Sequence, residues 1–140
     1  TEVLDFRTDY VDTRIAGLLG LDPECPLVFV ERLRTVDEGP VAVLRNWLGP
    51  DWSDLETDEL VVYGLYTLIR ARNIVPAVGY QHIPARHPNE NEQRLLHLEP
   101  TDPVLTMSRR AYDPSGQPVE YGDHCYRWDR YAIDITAYSS

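Results

Sequence analysis

The chain has 140 residues, 43% of them hydrophobic, which suits one domain with a real core and leaves little for a second. Thirteen Lys and Arg against 23 Asp and Glu give a formal charge of −10, which opposes broad contact with nucleic acid phosphates or an anionic membrane. The two cysteines, Cys25 and Cys125, have no metal-ligand or redox spacing, and the apolar runs fall far short of the ~18 residues of a spanning helix.

The N-terminus lacks both an initiating Met and a basic region followed by an apolar one, so a cytoplasmic piece of a longer protein is expected. Residues 1–11 read as a linker remnant with a first strand, and 12–140 as the domain. From Asp12, DTRIAGLLGL places Ile15, Leu18 and Leu19 at helical spacing behind an aspartate cap. LVFVERLRTVDEGPVAVLRNWLG then reads as two strands around Asp37-Glu38-Gly39. TDELVVYGLYTLIRARN predicts one helix, capped at Thr57 or Asp58 and ending at Asn73, with Leu60, Gly64, Leu65, Leu68 and Ile69 on one face.

Pro76 and Pro84 mark IVPAVGYQHIPAR as a strand at an edge or bulge. HPNENEQRLLHL is a short helix. VLTMSRRAYD and PVEYGDHCYRW form a second hairpin around Asp113-Pro114-Ser115-Gly116, and YAIDITAY alternates as a last strand. The expected class is α+β, a central antiparallel sheet of about six strands with helices on one face.

Strand alternation assigns the charges to faces. Val28, Val30, Arg32, Arg34 and Val36 share one face, so two guanidiniums project side by side about 7 Å apart, from a rise of ~3.4 Å per residue. They are either a solvated face or a fork for a carboxylate or phosphate. In the second hairpin Glu120, Gly122, His124, Tyr126 and Trp128 share a face. A three-residue loop would set Arg110 opposite Glu120 as a cross-strand ion pair; alternatively or additionally, Glu120 accepts hydrogen bonds from a ligand. Asp129, between Arg127 and Arg130, suggests a strand end tied by local ion pairs or by backbone N–H groups. Gln81 and His82 point to opposite faces, so at most one shares the side of the arginines. No Gly-rich phosphate loop, calcium loop or nucleophile elbow occurs, and the four histidines are scattered, so no metal, cofactor or catalytic residue is expected.

The order "VERLRTVDEGPVAV", "VVYGLYTLI" and "RRAYDPSGQPVEYGDHCYRWDRYAI" resembles the UTRA domain, the C-terminal effector-binding domain of HutC-type GntR transcriptional regulators. The resemblance implies a chorismate-lyase-like fold, a small-molecule site, homodimerisation, and an N-terminal winged helix-turn-helix for operator DNA in the intact regulator. Carried over by position, Arg32 and Arg34 hold an anionic group, Glu120 and Tyr126 face the ligand, and Gly64 and Tyr66 belong to the "GLY" at a helix start. Phosphate-binding relatives usually have serine where Gly64 stands. The loss of that hydroxyl makes a carboxylate, an amino acid derivative or a less charged effector comparable to a sugar phosphate. A chorismate-lyase-like enzyme acting on a small aromatic carboxylate is the competing reading.

Overall fold

A computed structural model describes residues 1–134 and 136. Among the described residues, seven strands form one antiparallel sheet: β1 (Glu2–Tyr10), β2 (Leu27–Val36), β3 (Gly39–Leu48), β4 (Ala77–His82), β5 (Ala85–Arg86), β6 (Val104–Tyr112) and β7 (Pro118–Arg127). Their order is β1-β2-β3-β7-β6-β4, with β5 also on β6. The sheet is therefore α+β as expected and includes a strand before Asp12, which pairs along β2 from Glu2↔Leu33 to Tyr10↔Leu27. As the prolines indicated, β4 is an edge strand. Residues 131–134 form no strand, and part of the expected last strand lies outside the described residues.

Helices cover both faces rather than one, because LVFV is apolar on both sides. On the front, Val28, Val30 and Leu48 are buried under α2 (Thr57–Tyr63) and α3 (Leu65–Ala71), which contribute Leu60, Leu65, Leu68 and Ile69. On the back, Leu27, Phe29, Trp47 and Tyr121 take α1 (Thr13–Leu18), and Val43, Val104 and Cys125 take Leu96 of α4 (Glu90–Leu96). Burying each such aliphatic side chain stabilises by roughly 1.5–3 kcal/mol. Asp12 caps α1 by accepting from Ile15 N at 2.9 Å, as its position suggested.

The single helix expected from Thr57 to Asn73 is two helices. Gly64 separates them at φ 77° and ψ 161°, a conformation open to glycine and strained for other residues. Glu56, not Thr57 or Asp58, is the N-cap of α2, with no side-chain cap bond.

Both central hairpins contain a bulge. β2 and β3 pair Thr35 with Pro40 but Arg34 with Ala42, leaving Val41 extra. β6 and β7 pair Tyr112 with Pro118 but Ala111 with Glu120, leaving Val119 extra. Each extra valine follows a proline, which cannot donate to the ladder. The second bulge overturns the Arg110–Glu120 pair: Arg110 stands opposite Tyr121, on the other face from Glu120. A one-residue shift exchanges every side chain between faces.

Candidate functional site

Across the front of the sheet the pairing aligns Val30, Asn46, Gly122, Arg109 and Gln81 in one row. The next row runs Arg32, Leu44, His124 and Met107. Above them the α2–α3 break borders an open cavity of about 280 Å³, lined by Arg32, Arg34, Asn46, Gly64, Tyr66 and Arg109 together with Tyr63, Leu65 and Thr67. The front-face partner from β4 is Gln81, whose Nε2 lies 3.5 Å from Met107 Sδ; His82 faces the back.

Glu120 is fully buried beneath this cavity. Its Oε1 accepts from Asn46 Nδ2 at 2.5 Å and its Oε2 from the Tyr66 hydroxyl at 2.9 Å. Asn46 Oδ1 in turn accepts from Arg32 Nη2 at 2.9 Å. Gly122 makes room for this chain. A Cβ there would lie 2.9 Å from Glu120 Oε1 and 3.0 Å from His124 Nε2.

Burial dominates the electrostatics. It raises the Glu120 pKa above the usual carboxylate range, against the pull of Arg109 and the bonds from Asn46 and Tyr66. It lowers Arg32 to about 10, helped by Arg34. It lowers His124 to about 3, helped by Arg109 and Arg32, so His124 is neutral at pH 7. The Tyr66 hydroxyl is pushed up by burial and then by Glu120, so it remains a donor. Arg109 lies over the Tyr66 ring, 4.8 Å from its centroid. Arg32 Nε, Arg109 Nε and His124 Nδ1 are buried with no hydrogen-bond partner among the described residues. Three guanidiniums and the hydroxyl-bearing Tyr63, Tyr66 and Thr67 thus line a cavity whose lining holds no carboxylate. The arrangement suits a small anion with several acceptor atoms. A cavity of about 330 Å³ at the Asp113 turn is lined by Asp51 and Asp113 and lacks such donors.

Of the six expected ligand residues, Arg32, Arg34, Gly64 and Tyr66 line the cavity and Glu120 lies under it. Tyr126 is outside the lining, buried and stacked on Tyr131 with centroids 3.8 Å apart; burial and Tyr131 push its hydroxyl up to about 12. Arg110 lies over the Tyr80 ring on the back. Asp129 accepts from Arg127 Nε at 2.7 Å, and Arg130 Nη1 donates to the Pro40 carbonyl at 2.9 Å. Asn46 and Arg109 are additions that sequence reasoning missed, while His124 was placed on the face of Glu120 but not assigned to the site. The signal for them is strand alternation, once the two bulges are known.

Among solved structures, the chain is 37% identical to a candidate transcriptional regulator from Streptomyces coelicolor, covering 94% of this chain and 87% of that one with a TM-score of 0.88. It is 25% identical to the effector domain of PhnF from Mycobacterium smegmatis, covering 99% and 86% with a TM-score of 0.85. It is also 26% identical to the mannosyl-D-glycerate transport/metabolism system repressor MngR of Escherichia coli, over 98% of this chain and 58% of the repressor. The chain spans about half to three-fifths of the length of the curated relatives it matches. The UTRA domain family model matches residues 1–132, and the chain belongs to that family.

Proposed function

We propose that this domain is the effector sensor of a HutC-type GntR regulator in the cytoplasm, with the front cavity as the site for a small anionic or polar metabolite. The observation that carries the reading is the convergence of Arg32, Arg34 and Arg109, two of them with a buried unpartnered N–H, over a carboxylate already hydrogen-bonded to Asn46 and Tyr66. Similarity to regulators supports it, and MngR is named for a compound that contains glycerate, a carboxylate.

The function is linkage. Ligand binding favours one packing of the domain or its homodimer, and the segment before Asp12 passes that preference to a winged helix-turn-helix that contacts operator DNA. A 100-fold change in operator affinity needs about 2.7 kcal/mol of coupling. The cavity has no acid and base placed as a pair, which favours sensing over catalysis. Release of 4-hydroxybenzoate and pyruvate from chorismate by the purified domain would overturn that preference.

Thermal scans with sugar phosphates, carboxylates and amino acid derivatives test the site. A true effector at 100 times its Kd stabilises by about 2.7 kcal/mol. Arg34→Ala and Arg109→Ala each abolish that response, whereas a parent-like response in both means that the cavity is not the site.

A further inference from the structure

On the back of the sheet a separate cavity of about 240 Å³ is lined by Arg14 of α1, Tyr80 and His82 of β4, Ser108 and Arg110 of β6, and Tyr121 of β7. We propose that it is a second binding site, for a small carboxylate or phosphate anion. It does not depend on the sensing role of the front cavity.

Two guanidiniums reach this cavity from different elements. Neither is in an ion pair among the described residues, although the chain carries a formal charge of −10. Each is laid on an aromatic ring instead: Arg14 is 5.7 Å from the Tyr121 centroid and Arg110 is 5.1 Å from that of Tyr80. A guanidinium held on a ring face is ordered, yet keeps its in-plane N–H fork for a planar or tetrahedral oxyanion. Arg14 Nη2 also donates to the Tyr121 hydroxyl at 3.4 Å, which leaves the phenol proton available to an acceptor. Ser108 supplies a further hydroxyl and His82 an imidazole.

A structural role accounts for less. An arginine that only solvates a surface needs no cavity, and the single 3.4 Å bond from Arg14 to Tyr121 that ties α1 to the sheet leaves the rest of its fork unused. Asp123 stands opposite Ser108 on this face but does not line the cavity, and it faces Arg45 across β3. The back site is also distinct from the front one by construction. Arg109 and Arg110 are neighbours in β6, and alternation sends one to each face.

The test follows the arginine Nε–Hε signals of the ¹⁵N-labelled domain, titrated at low ionic strength with benzoate and, separately, with inorganic phosphate. The Arg14 and Arg110 signals are expected to shift and saturate with at least one of the two, and which one identifies the preferred oxyanion. Arg110→Ala lowers that affinity at least tenfold. Arg14→Ala, on an exposed helix position, does the same without altering the sheet, and Arg7→Ala on β1 has no effect. Non-saturating shifts at Arg14 and Arg110 with both anions, or parent-like affinity in both variants, overturn the site. Changes at Arg32, Arg34 and Arg109 report on the front cavity separately, so failure of one site is not mistaken for failure of the other.

Discussion

Glu92 and Glu120 are both completely buried carboxylates, one on each face of the sheet, and their surroundings push them in opposite directions. Glu92 meets Arg86 through two bonds of 2.6 and 2.9 Å and Arg45 through one of 3.1 Å. Its Oε1 also accepts from Asn89 N, and its own N–H is capped by Asn89 Oδ1. Burial opposes its charge, but these bonds prevail and hold the pKa down to about 2. Glu120 has no arginine in direct hydrogen-bond contact, only neutral donors, and burial prevails. The arginines around Glu92 are both held in ion pairs, Arg45 bridging Glu31 and Glu92 and Arg86 gripping Glu92 at both oxygens. Those around Glu120 keep open N–H groups, as a binding site requires.

The sharpest way to break this contrast is Glu92→Gln. It takes the carboxylate from Arg86, leaves Arg45 with Glu31 alone, and should cost about 3–5 kcal/mol in urea unfolding, the range for breaking a buried ion pair. Glu120→Gln keeps neutral partners and should cost roughly 1–3 kcal/mol. Equal losses would mean that the two clusters do the same job. Gly64→Ala comes next, at about 1–3 kcal/mol from backbone strain. Because it distorts the α2–α3 break, it should also weaken effector response more than Glu92→Gln does.

The pH dependence separates the clusters by sign. Glu92 has a depressed folded pKa, so its stabilisation is present above the unfolded value near 4.5 and is lost as pH falls towards about 2. The stability advantage of the parent over Glu92→Gln should shrink through that window. Glu120 has a raised folded pKa. Its protonated form is the better tolerated one, so the parent should gain on Glu120→Gln as pH falls from that folded pKa to the unfolded value. Curves running in the same direction would refute the contrast. The smallest effect is Asp129→Ala, which removes a partly exposed pair with Arg127 and should cost less than about 1 kcal/mol.

Much of the sheet was legible because alternation is a local rule. It put Arg32 beside Arg34 and grouped Glu120 with Gly122 and His124. Relating one strand to the next failed, because register depends on residues that alternation does not count. "GPVAV" and "QPVEY" each hold an extra valine after proline. Without the first bulge Asn46 would face the back; without the second, Arg110 would face Glu120. The break at Gly64 was hidden for another reason. The apolar spacing of Leu60, Leu65, Leu68 and Ile69 continues through it, and only the backbone changes direction.

Val119 therefore acts as a one-residue frame setting for the molecule's chemistry. Drawn into the ladder opposite Ala111, it would bring Arg110 opposite Glu120 and exchange the outlooks of Arg109 and Arg110 relative to β7. One apolar residue that carries no charge thus decides on which side of the domain the positive potential of β6 falls.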